Sequence, residues 1–143
     1  MAKELGNDSI YIDVQTPLDK IINNFKPNQY AFADNGNSLV NDLLVGYYVM
    51  GDGFSKKQLT FLSNNTAKLA YVLPESGRLI YEVGFWRSTS SSGIEMRIVG
   101  SQFGMYKAPR RFVFEVQDDG KKIVSTNYDS PIYGSGGLVF YKK

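Results

Sequence analysis

The chain has 143 residues, a length suited to one domain, and its 43% hydrophobic and 21% charged residues place it among globular rather than disordered chains. Sixteen Lys and Arg against fourteen Asp and Glu leave a net charge of +2, too even for a dedicated nucleic-acid binder. Histidine and cysteine are both absent, and with them go the usual nucleophiles, neutral-pH bases and transition-metal ligands.

The opening residues, Met1-Ala2-Lys3-Glu4-Leu5-Gly6-Asn7-Asp8, lack the apolar stretch of a secretory signal. No apolar run approaches the roughly 20 residues that cross a bilayer, so no membrane span is expected. Ile10, Ile12 and Val14 then alternate with Tyr11 and Asp13, the period of a half-buried strand. Thr16 as N-cap, Pro17 at the first helical position and Asp19 three residues past the cap predict a helix over 16–25. Leu18, Ile21, Ile22 and Phe25 fall at i, i+3, i+4 and i+7 and form its apolar stripe, and Lys26-Pro27 ends it. A helix this short is unstable alone in water, so the stripe must dock on its own β core or on a neighbouring subunit.

Residues 29–33 make a short strand candidate before the turn-rich Asp34-Asn35-Gly36-Asn37-Ser38. Over 39–50, Leu39, Val40, Leu43, Leu44 and Tyr47 fit helical spacing, while Val45, Tyr47, Tyr48 and Val49 favour a strand, read as 43–50. Strands over 57–62 and 67–72 flank Ser63-Asn64-Asn65-Thr66 as a hairpin. The strand 78–87 is expected to turn Leu79, Tyr81, Val83 and Phe85 to the core and Ile80, Glu82 and Trp86 outward. After a serine-rich loop, Ile94, Met96 and Ile98 alternate, and over 111–117 Phe112, Phe114 and Val116 point inward. Asp118-Asp119-Gly120 is a hairpin turn, followed by strands over 121–126 and 138–141 with Gly134-Ser135-Gly136-Gly137 as a loop between them. Nine or ten short strands and one short N-terminal helix predict one all-β domain over 1–143, a β-sandwich or jelly roll, with 1–26 as a strand–helix arm. Its core should hold Ile10, Ile12, Leu79, Tyr81, Val83, Phe85, Ile94, Met96, Ile98, Phe112, Phe114, Leu138 and Phe140.

Glu82, Glu95 and Glu115 are all expected outward, paired across strands with Arg87 or Arg97, which leaves a glycosidase-type carboxylate pair as the least favoured option. The Asp34 and Gly51-Asp52-Gly53 turns lack full calcium-loop spacing, so no metal site and no cofactor are expected. Lys107, Arg110 and Arg111 with Tyr106 form a small basic–aromatic patch, read as a salt-bridged rim. Trp86, opposite the expected core face and beside Arg87, is the residue best suited to stack on a sugar, with Arg87 and Tyr106 as further ligand contacts; packing in a second small core or a subunit interface is the alternative.

The run Leu73-Pro74-Glu75-Ser76-Gly77-Arg78-Leu79-Ile80-Tyr81-Glu82-Val83-Gly84-Phe85-Trp86-Arg87-Ser88, followed by Gly93-Ile94-Glu95-Met96-Arg97-Ile98, resembles the central strands of jelly-roll modules. Such strands occur in carbohydrate-binding modules and in the small jelly-roll proteins of virus particles. The resemblance implies a non-enzymatic structural protein, a bacteriophage capsid or appendage component found in the virion or in host cytoplasm during assembly. Its partners would be further copies of itself or other virion proteins, with Leu18, Ile21, Ile22 and Phe25 at the interface. The alternative it implies is a lectin-like module for a cell-surface glycan. Ten Tyr and nine Phe, together with the open edges of a sandwich, favour assembly.

Overall fold

The computed structural model describes residues 41–51, 56–73 and 75–143. The expected helix over 16–25, the strands at 10–14 and 29–33, and with them Ile10, Ile12, Leu18, Ile21, Ile22 and Phe25, lie outside the described residues. Among the described residues there are eight strands: β1 (Gly46–Met50), β2 (Lys57–Phe61), β3 (Thr66–Val72), β4 (Leu79–Ser90), β5 (Gly93–Ser101), β6 (Gly104–Gln117), β7 (Lys122–Asn127) and β8 (Leu138–Lys142). Each pairs antiparallel with the next, and β8 returns to β1, so the sheet closes into a barrel. The all-β class holds, but the sandwich or jelly roll does not. Both architectures are built from short alternating strands; what separates them is which strands pair, here each with its neighbour in sequence and β8 with β1, and no local period encodes that choice. Closure also removes the open sheet edges that had favoured assembly, among the described strands.

Local chemistry explains where the elements begin and end. Asn41 accepts a hydrogen bond from the Leu43 amide at 3.0 Å and caps a 3₁₀ turn over Asp42–Leu44, so β1 starts at Gly46 rather than at 43. The mixed signal over 39–50 is thus one helical turn followed by a strand. Asp118, Asp119 and Gly120 take φ of 53°, 55° and 89°, the left-handed conformation that an Asp-Asp-Gly turn supplies. β6 begins at Gly104, ahead of the expected 111, and runs through Pro109. Pro109 is tolerated because the β5–β6 register slips there, between the pairs Ile98↔Arg110 and Gly100↔Met105.

The barrel interior is packed with rings. Phe61 stacks on Trp86 at 4.7 Å, and Phe114 meets Phe112 at 6.0 Å and Phe140 at 6.1 Å. Eight strands enclose a space that side chains just fill, and here aromatic rings fill it. Ile94, Met96, Ile98, Phe112, Phe114, Leu138 and Phe140 are buried as expected. On β4 the faces are reversed from the expectation. Ile80 and Trp86 join the interior cluster and Glu82 shares their face, while Leu79, Tyr81, Val83 and Phe85 point outward. Tyr81 and Val83 are buried on that outer side as well, so both faces read as apolar and the period carried no contrast. The register shifts between Val83 and Gly84, where a Cβ would collide with the Arg97 carbonyl and lie 2.7 Å from Cα of Ile98. Only glycine allows that approach.

Candidate functional site

At one end of the barrel the aromatic filling gives way to a buried carboxylate. Glu82 on β4 is 0% exposed. Its Oε2 accepts from the Tyr71 hydroxyl on β3 at 3.0 Å, the Tyr106 hydroxyl on β6 at 2.5 Å and Nη1 of Arg110 on β6 at 3.0 Å. Its Oε1 accepts from the Tyr133 hydroxyl at 2.9 Å. Two-residue alternation puts Tyr71 and Glu82 on the inner face of adjacent strands, diagonal to one another in the register. The same alternation aims Tyr106 and Arg110 inward, and the Arg110 guanidinium lies over the Tyr106 ring at 3.8 Å.

Tyr133 reaches the cluster from a short helix, α1 (Ser130–Tyr133), in the connection between β7 and β8. Pro131 helps open that helix, and Gly134, Gly136 and Gly137 follow it with φ of 102°, 97° and 89°. The Tyr128 hydroxyl donates to the Gly134 carbonyl at 2.5 Å and accepts from the Gly137 amide at 3.0 Å, which ties the connection to itself.

Burial pushes the Glu82 carboxyl above the usual carboxylate range, against hydrogen bonds from Tyr106, Tyr133 and Tyr71 and the charge of Arg110. Burial, reinforced by the Glu82 charge, raises Tyr71, Tyr106 and Tyr133 well above the ordinary phenol range, so all three remain protonated donors. Four donors from the chain itself engage the carboxylate, three on Oε2 and one on Oε1, so both oxygens are occupied.

A second carboxylate, Glu95 on β5, faces the outside of the sheet. Arg87 approaches its Oε1 at 3.2 Å, while Arg97 at 3.2 Å and Arg111 at 2.6 Å approach its Oε2. Burial raises its pKa, but the hydrogen bonds from Arg111 and Arg87 and the charges of Arg97 and Arg111 outweigh burial and hold it below the usual range.

The three expected ligand contacts do not come together. Trp86 is 0% exposed and faces inward, its Nε1 donating to the Leu62 carbonyl at 2.8 Å, so it offers no platform to a sugar. Arg87 sits on the opposite face with Glu95, and Tyr106 belongs to the Glu82 cluster. Glu82 and Glu95 also lie on opposite faces, which separates them as an acid–base pair, and Glu82 is not the outward residue expected. The basic–aromatic patch divides by the same alternation, with Tyr106 and Arg110 inward and Lys107 and Arg111 outward. The Glu82 cluster escaped the sequence, although Glu82 shares parity with Trp86, the side chain with most to gain from burial. Among the described residues no group of three or more carboxylates could hold a metal, and no helix is long and apolar enough to cross a membrane. No protein-family model, curated protein or solved structure matches the chain.

Proposed function

We propose that this chain is a non-enzymatic barrel that works by association, as a structural component of a larger assembly. The observation that carries the proposal is that the chain's own donors occupy both oxygens of Glu82 inside a barrel already filled by rings. Among the described residues the most deeply buried carboxylate is thus occupied by the chain's own donors, which leaves the outer surface to do the binding. That surface carries large apolar side chains: Phe103, at 63% exposure, and Met105 lie on the β5–β6 hairpin, and Tyr141 lies on β8. A virus particle is the assembly we have in view, on the strand likeness of residues 73–98. Barrel closure takes away jelly-roll topology as support for it. With Trp86 inside, the lectin-like alternative has lost its stacking residue.

Light scattering on the full chain tests the proposal, with a mass in multiples of 16.0 kDa expected at high concentration. Phe103→Ser together with Met105→Ser should lower that mass without unfolding the barrel. A strict monomer that binds no particle or protein partner refutes association, and glycan binding by such a monomer moves the assignment to the lectin-like module.

A further inference from the structure

We propose that the seat of Tyr133 is a binding site for a small hydroxylated aromatic ring, occupied in this conformation by the chain's own side chain. From 129 to 136 every residue is exposed except Tyr133, so between the base of the strap, where Tyr128 stacks on Phe112 at 6.2 Å, and Gly137 this one buried side chain is the anchor. The seat itself belongs to the barrel. Tyr71 meets the Tyr133 ring edge-on at 5.7 Å, Phe112 lies against it at 4.8 Å, Glu82 accepts its hydroxyl proton, and Arg110 donates to its oxygen at 3.3 Å. Those four residues stand on β3, β4 and β6, none of them on the strap.

Tyr71, Tyr106 and Arg110 hold the other oxygen of Glu82, so the carboxylate stays in place when Tyr133 leaves. What remains is an aromatic-walled slot with one acceptor, Oε1, and one guanidinium N–H at its inner end. A phenol matches it in shape and donor, whereas a ring without a hydroxyl leaves a buried oxygen unpaired. Gly134, Gly136 and Gly137 supply backbone freedom next to α1, and once the Tyr133 ring leaves its seat the short α1 turn and the Tyr128 hydrogen bonds loosen with it. Release costs the strap little else, since segments with few buried contacts open locally before the rest of a fold. Association through the outer surface is read from the conformation in which Tyr133 occupies Glu82, and this site from the one in which it does not, so oligomer mass tests the first and strap exchange the second.

The test uses the full chain and p-cresol, the free form of a tyrosine side chain, with toluene as control. Hydrogen exchange is followed at the strap amides of Ile132, Tyr133, Gly134 and Gly137, each of which donates a hydrogen bond within the strap. Saturating p-cresol should speed exchange at these amides and leave the strand amides unchanged, with no effect of toluene. Tyr133→Ala, which removes the tethered competitor, should bind p-cresol about tenfold more tightly and gain thermal stability with its concentration. Tyr133→Phe keeps the ring, loses the donor, and should show faster strap exchange without added ligand. Unchanged strap exchange in the wild-type chain overturns the proposal even if Tyr133→Ala does not fold. Equal responses to toluene, or faster exchange in the strands as well, overturn it too.

Discussion

Glu82 and Glu95 sit on neighbouring strands of one sheet, and each is buried and receives four donor contacts, yet their pKa values move in opposite directions. Glu82 faces the interior and draws on three phenols and one guanidinium. Glu95 faces outward and draws on three guanidinium groups. Phenol hydroxyls satisfy lone pairs without supplying charge, so they compensate only part of the desolvation that Glu82 undergoes. Arginines supply both, and they keep partial contact with water while doing so. Counting hydrogen bonds therefore does not give the sign of a pKa shift; the charge of the donors, set against depth, does.

Substitution at the two glutamates should have unequal effects. Glu82→Leu should be the most damaging, destabilising the barrel by about 3–5 kcal/mol in urea unfolding, because it strands Arg110 and three phenols. Glu95→Leu should cost about 1–3 kcal/mol, since its arginines can turn towards solvent. The pH profiles of these sites should run in opposite senses. The folded Glu82 carboxyl titrates above its unfolded value, so its contribution is fully present below the ordinary glutamate range and is lost as pH rises through the raised pKa. The folded Glu95 carboxyl titrates below its unfolded value, so its contribution is present above that range and is lost as pH falls through the lowered pKa. Unfolding midpoints measured across pH should therefore show Glu82→Gln abolishing the loss on the rising side and Glu95→Gln abolishing the loss on the falling side. Profiles that change in the same sense would break the comparison. Tyr71→Phe and Tyr106→Phe should each cost about 1 kcal/mol, one hydrogen bond to a buried group. Smallest of all, Arg111→Ala should cost under about 1 kcal/mol despite its 2.6 Å contact, because its side chain is 54% exposed.

The strands were legible wherever a single face was apolar. Ile94, Met96 and Ile98 alternate with Glu95 and Arg97, and Phe112 and Phe114 are bracketed by Arg111 and Glu115, so their burial followed from the two-residue period. β4 was legible as a strand but not as a face, because Tyr81 and Val83 are buried opposite Ile80 and Trp86. Choosing the wrong face of one strand displaced both candidate sites at once, placing Glu82 in solvent and Trp86 on the surface. Tyr133 was beyond reach for a different reason. It lies within a connection rather than on an alternating strand, and its partner Glu82 is distant in sequence. Only the closed barrel brings the two together.

The closing seam has a kinetic consequence. β1 and β8 are joined through the pairs Tyr48↔Lys142 and Val49↔Tyr141 alone, with the Lys143 amide adding a bond to the Tyr47 carbonyl at 2.9 Å. Every other seam joins strands consecutive in the chain, so hairpins can zip one after another with little loop-closure entropy at each step. The β1–β8 seam has to bring together chain segments separated by the six strands between them, so loop-closure entropy makes it the pairing expected to form last. Until it forms, the eight described strands are an open meander whose β1 and β8 edges are unpaired with one another, and the final residues of β8 close that sheet.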